Sequence, residues 1–195
     1  MTYEGARSYM PKPSRMPMIS DGELTAEQRK AVADIIAGPR GHLVGPFIPL
    51  LRSPEFMNRL QKTGEYLRFN SAFEPRLSEL AILITARAWS QNFEWHHHRP
   101  IAEKAGLRSD IVDAIASGRR PEAMAMDEAA IYDFLDELLR TRNVSDVTYR
   151  RVVGMFGEKG VIDLIGIHGY YSLLAMILNV THTSGGVEPE LPALP

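Results

Sequence analysis

Glu94 and His98 stand four residues apart in FEWHHHRPIAEKA, and Glu79 lies upstream in LSELAILITARAWS. If the first segment is a helix, Glu94 and His98 share one face within side-chain reach, and His97 flanks that face. His96 falls about 200° away from Glu94 at 100° per residue and points elsewhere. A carboxylate beside an imidazole is a workable acid–base pair: its charge raises the imidazole pKa and fixes the tautomer. The same spacing also occurs as a solvated surface pair that adds little beyond helix stability. Glu79 sits in the most apolar part of its segment, where a carboxyl is costly unless it is paired or protonated. It reads either as a proton donor or as one member of a polar stripe with Arg76 and Arg87.

Other side chains have two readings as well. Arg87 could grip a substrate carboxylate with its planar fork or simply neutralise Glu79. His168, in DLIGIHGYYSLL, is either a satisfied core histidine or a group that reaches the Glu–His cluster from a facing helix. His97 and His168 are therefore candidate substrate contacts, as is His42 at a pocket mouth. Phe47, Trp95 and Ile101 are candidates for an apolar wall. Glu94, His97, His98 and His168 carry donor atoms suited to zinc. The usual helical spacing of two histidines four apart and the HEXXH motif are both absent, so no metal and no cofactor is expected.

The elements that must position these groups are all helices. Thr25-Ala-Glu-Gln28 has the form of a capping box, predicting a helix from Ala26 to Ala37 that Gly38-Pro39 ends. GHLVGPFIPLLR, residues 41–52, reads as an ordered loop. Ser53-Pro54-Glu55 opens a helix to Phe69, and Pro75 opens the next, with Leu77, Leu80, Ala81, Ile84 and Ala88 at helical period. Pro100 predicts a kink, or a helix starting there, in the segment that ends at Gly106. Ser109 caps a short helix to Gly118, another spans Asp127–Arg140, Ser145 caps a seventh and the eighth runs from Lys159 to Val180. Residues 1–20 read as an irregular arm, 21–183 as one all-α domain and 184–195 as an extended tail.

Composition sets the outer limits. The chain has 195 residues, 45% of them hydrophobic and 24% charged, which is ordinary for a folded globule. Its 22 basic against 24 acidic residues lack the basic footprint that nucleic acid or an anionic membrane requires. With no cysteine, thiolate nucleophiles, disulfides and dithiol redox chemistry are excluded. No signal segment is read, and the apolar stretch 161–180 is broken by Asp163, His168 and Asn179, so a cytoplasmic protein with a buried last helix is expected. That helix is apolar on most of its circumference, which one small domain cannot cover, so a homo-oligomer is expected.

Residues 75–118 resemble the carboxymuconolactone decarboxylase family, which includes the alkylhydroperoxidase D-like proteins. A Glu opens an apolar run (Glu79-Leu-Ala-Ile-Leu), a site segment ends in His (Glu94-Trp-His-His-His98), and Ala105-Gly106-Leu107 follows with Ile111 and Ile115. GYYSLLAMILNV is similar to the family's last long helix. The resemblance implies an all-α bundle of about eight helices and an oligomer: dimer, trimer or hexamer. In the hydroperoxidase branch two cysteines occupy the positions that here hold Gln91 and Glu94, so peroxidase chemistry does not carry over. The decarboxylase branch resembles E-x-x-x-H at this place, as Glu94 and His98 do. The implied activity is a cofactor-independent carboxy-lyase of aromatic catabolism, with Glu79, Glu94 and His98 catalytic and a small organic acid or lactone as substrate. An isomerase, hydratase or other lyase using the same groups stays open, as does a non-catalytic ligand-binding oligomer.

Overall fold

The computed structural model describes residues 12–187 and 191–192, all of them helix, turn or irregular chain. The expected arm before residue 12 and the parts of the tail at 188–190 and 193–195 lie outside the described residues. The helices are α1 (Ala26–Ala37), α2 (Phe47–Leu50), α3 (Pro54–Phe69), α4 (Pro75–Ala88), α5 (Asn92–Lys104), α6 (Ser109–Ala116), α7 (Met126–Thr141) and α8 (Asp146–Thr181). Thr25 caps α1 in the predicted box, its side chain accepting from the Gln28 N–H. Residues 41–52 are an ordered loop containing the single turn α2, which the glycines and prolines concealed.

Pro100 neither starts nor ends a helix: α5 runs through it. Proline costs a helix interior about 3 kcal/mol, and here the packing of α5 along α4 outweighs that local preference. The two expected last helices are both present within α8: the first is capped by Ser145, and they meet at a kink at Gly157, where φ is 68° and the backbone is not helical. A positive φ of this kind suits glycine.

α4 is the axis of the domain. Every residue from Leu77 to Arg87 is buried, because α3, α5, α6, α7 and α8 all pack around it. Arg76 fastens its first turn to α7 through Asp127 at 2.6 Å and Glu128 at 2.5 Å. Asp163 of α8, 4% exposed, accepts from Tyr66 Oη, the Ala72 N–H and Lys159 Nζ, tying α8 to the α3–α4 corner. α8 is long and apolar enough to cross a membrane, with mean hydropathy 1.7 in its most apolar stretch, yet 56% of that stretch is buried inside the domain. It serves as a core helix. The arm from residue 12 lies along the end of α8, where the Arg15 N–H donates to the Thr181 carbonyl at 2.8 Å.

α3 and α8 pack closely at Gly64. A Cβ there would fall 2.1 Å from Tyr170 Oη and 2.7 Å from an Arg40 nitrogen. Tyr170 is buried and bonded to Arg40, so its ring cannot retreat. Gly64→Ala is predicted to cost about 1–3 kcal/mol, the range for overpacking, read as a lower midpoint in chemical denaturation. A midpoint equal to wild type would contradict this packing.

Candidate functional site

α4 and α5 form an antiparallel hairpin through a turn in which Ser90 takes a φ of 47°. Gln91, the N-cap of α5, accepts from the Phe93 N–H and donates to Asn179 Oδ1 of α8, each at 2.7 Å. That fixes the start of α5 against α8. Glu94 lies in the first turn of α5, where the helix dipole favours a carboxylate. His98 follows one turn later, and Glu79 faces it from α4.

The three side chains meet out of water. Glu79, Glu94 and His98 are each no more than 4% exposed. His98 Nδ1 lies 2.6 Å from Glu79 Oε2, and His98 Nε2 lies 3.5 Å from Glu94 Oε2. The second oxygen, Glu94 Oε1, is buried without a hydrogen-bond partner. Burial opposes a charged imidazole at His98, but the charge and hydrogen bond of Glu79, reinforced by Glu94, outweigh it and raise the His98 pKa. The site is thus two acids about one imidazole that favours its protonated form, with Glu79 holding Nδ1 and leaving Nε2 toward Glu94.

Aromatic rings wall this cluster. Tyr171 meets His98 edge-on at 5.0 Å, and Tyr170 packs on Tyr171 at 5.2 Å. Burial raises the Tyr171 hydroxyl pKa well above its usual value and that of Tyr170 to about 12, so both phenols stay neutral. His97 stands edge-on to His98 at 5.0 Å and stacks on Phe93 at 6.0 Å. Burial, together with the charges of His98 and Arg68, lowers the His97 pKa to about 4 against the opposing pull of Glu94 and Glu79. His96 is exposed, as its helical angle requires.

The predicted contacts divide. His97 is at the site. Phe47 is buried with the Arg40 guanidinium 4.6 Å above its ring. Trp95 is wholly buried in the core, its indole N–H unpartnered. Two residues are not brought to the cluster. His168 Nδ1 pairs with Thr85 Oγ1 at 3.0 Å, and that hydroxyl donates to the Ala81 carbonyl. Thr85 is about 240° around α4 from Glu79, so His168 serves the α4–α8 contact. Arg87 sits about 12 Å along α4 from Glu79 at 1.5 Å per residue, in a recess against α6 and α7. Arg87 therefore does not neutralise Glu79. His42 is exposed in its loop. Among the described residues no group of three or more His, Asp or Glu is arranged to hold a metal ion.

Sequence reasoning missed Arg40, Arg68 and the cover over α5. Arg40 Nη2 donates to Tyr170 Oη at 3.1 Å, and the charge of Arg68 is felt at His97, Tyr170 and Tyr171. The Nε of each arginine is buried without a partner. Phe93 is clamped between Gly45 and Gly185, where added Cβ atoms would fall 2.2 and 2.3 Å from its ring. The glycine–proline loop and the tail thereby close over the start of α5. Contacts between distant loops leave no periodic signal.

Residues 54–137, the stretch that holds Glu79, Glu94 and His98, match the sequence model of the carboxymuconolactone decarboxylase family. Most of the chain shares its fold with a crystal structure described as an alkylhydroperoxidase AhpD core, an uncharacterized peroxidase-related protein from Ralstonia eutropha JMP134. The TM-score is 0.70 with 14% identity, covering 87% of this chain and 90% of the other. At that identity the likeness shows the all-α AhpD-like fold alone. No curated protein matches the chain by sequence.

The two neighbouring histidines respond to pH with opposite signs. His97 takes up its proton near pH 6.5 when unfolded but only near 4 when folded. Between those values the unfolded state binds more protons, so stability falls as the pH drops through that window. His98, with its pKa raised by folding, contributes stability that is full below about 6.5 and lost as pH rises through the raised value. His97→Phe, which keeps the stack on Phe93, is predicted to flatten the fall in Tm from pH 6.5 to 4. Parallel Tm curves for variant and wild type would contradict the His97 assignment.

Proposed function

We propose that this chain is a cofactor-independent acid–base lyase that decarboxylates a small carboxylated lactone or related organic acid. The observation that carries the reading is the buried Glu79–His98–Glu94 cluster, in a segment of the carboxymuconolactone decarboxylase family. The related peroxidase-type fold brings no thiol chemistry here, because the chain has no cysteine.

The chemistry follows from the cluster. The carbon–carbon bond to the substrate carboxylate breaks, CO₂ leaves, and the electron pair passes into a conjugated carbonyl as a dienolate. The site must stabilise that charge and return a proton to carbon. His98, held by Glu79 through Nδ1, delivers the proton from Nε2, and solvent then restores it. Glu94 Oε1, with its open hydrogen bond, accepts from a substrate hydroxyl or acid proton. Arg40 and Arg68, which form no ion pair among the described residues, take the anionic groups of the substrate from the tyrosine wall. Phe47 and the buried rings keep bulk water away.

General acid–base groups contribute about 10²–10⁴-fold. Glu79→Gln and His98→Ala should each lower turnover by that order, and His96→Ala should leave it near wild type. Stopped assays in D₂O that follow CO₂ release and deuterium at the protonated carbon read both steps. Deuterium exchange or hydration without CO₂ would replace decarboxylation by isomerase or hydratase chemistry. Equal losses at His96 and His98, or none at Glu79, would overturn the acid–base assignment.

The assembly proposed for this enzyme is a homo-oligomer built on the outer face of α8. Ile162, Ile165 and Val180 are 68%, 44% and 63% exposed there, an apolar face that favours burial against a second copy. Light scattering at micromolar concentration should give a dimer or larger. A monomer would contradict it.

A further inference from the structure

Arg87 is a buried cation with nothing to hold. It is 4% exposed, and its Nε, Nη1 and Nη2 all lack a hydrogen-bond partner. It lies at a recess of about 150 Å³ between α4, α6 and α7, beside Ile84, Ile115, Gly118, Tyr132, Asp136 and Leu139. Leaving a guanidinium in such a place unpaired is strongly unfavourable. Asp136, which also lines the recess, does not relieve it: it forms no ion pair with Arg87 and accepts from Arg140 Nε at 3.0 Å. The five donors of this rigid fork, at the edge of the recess, have no hydrogen-bond partner.

We propose that this recess is a binding site for a small monocarboxylate, separate from the Glu79–His98 cluster and independent of the lyase reading. Three features select that ligand. The planar fork of Arg87 matches a carboxylate with two parallel hydrogen bonds. Ile84, Ile115 and Leu139 offer an apolar seat for a compact body, and a void of about 150 Å³ is the size that admits benzene, which sets benzoate as the upper limit. Asp136 beside the seat repels a second negative charge, so a singly charged anion is preferred to sulfate or phosphate. Gly118 contributes no side chain to the wall. Tyr132 and Leu139, both half-buried, are the groups that yield as the anion reaches the guanidinium. Burial already lowers the Arg87 pKa, which a bound carboxylate would reverse.

The test is thermal unfolding of the full chain in sodium acetate, propionate and benzoate, against sodium chloride at equal ionic strength. A ligand that binds only the folded state raises Tm by about 5–10 °C at a hundredfold excess over Kd for a chain of this size. A carboxylate-specific rise is expected in wild type and in Glu79→Gln, and a smaller one or none with sulfate. Arg87→Met should lose the rise while melting higher than wild type in carboxylate-free buffer, since it removes an unpaired buried charge. Should that variant not fold, the Arg87 ¹⁵Nε–H resonance of the wild type is expected to shift on addition of benzoate. No rise beyond chloride, an Arg87 resonance that does not move, a rise retained in Arg87→Met, or a rise lost in Glu79→Gln would each overturn the proposal. So would a sulfate effect equal to that of benzoate.

Discussion

A carboxylate and an imidazole taken out of water need each other. The 2.6 Å contact between Glu79 and His98 is where this fold resolves that need. Neither group could be buried singly without a cost of several kcal/mol. Together they let α4 and α5 close on each other along a seam that would otherwise have to be apolar. The same pairing fixes which nitrogen of His98 faces outward, and it holds a proton on the ring despite complete burial. Glu94, favoured by the first turn of α5, supplies the second charge that keeps the imidazole protonated. Structure and chemistry here are one set of contacts.

The surrounding architecture positions that seam. α4 is buried on all sides from Leu77 to Arg87, so Glu79 has no freedom to swing into solvent. Gln91 ties the start of α5 to Asn179 of α8. Glu94, one turn before His98 on the same helix, is held in the buried cluster. Phe93, locked between Gly45 and Gly185, roofs the start of α5 beside His97. Within this enclosure the low-lying pKa of His97 and the raised one of His98 show how far two adjacent imidazoles separate when only one has carboxylate partners.

Much of this was legible in the sequence, and the failures have a common cause. Periodicity places a residue on a face of its own helix, and so Glu94, His97 and His98 were separated correctly from His96. It does not say which helix covers that face. Arg87 and His168 were therefore assigned to the Glu79 pocket, although α6 and α7 cover the first and Thr85 holds the second. Arg40 and Arg68 reach the site from a loop and from α3, and no local pattern marks them. Pro100 does not start a helix, as one of its two readings had it, because propensity is local and α5 packs along α4 on both sides of it. The turn at Phe47–Leu50 lay hidden among glycines and prolines whose apolar neighbours were correctly read as wanting burial.

Glu79 holds His98 through Nδ1 and keeps it protonated. The most direct measurement is ¹⁵N and ¹H NMR of the His98 ring across pH, in wild type and in Glu79→Gln. Wild type should show a downfield, slowly exchanging Nδ1 proton and a titration midpoint above that of an ordinary histidine. In Glu79→Gln that proton should lose its downfield shift and the midpoint should fall. A wild-type His98 that titrates like a solvent-exposed histidine, with no shielded Nδ1 proton and no response to Glu79→Gln, would contradict it.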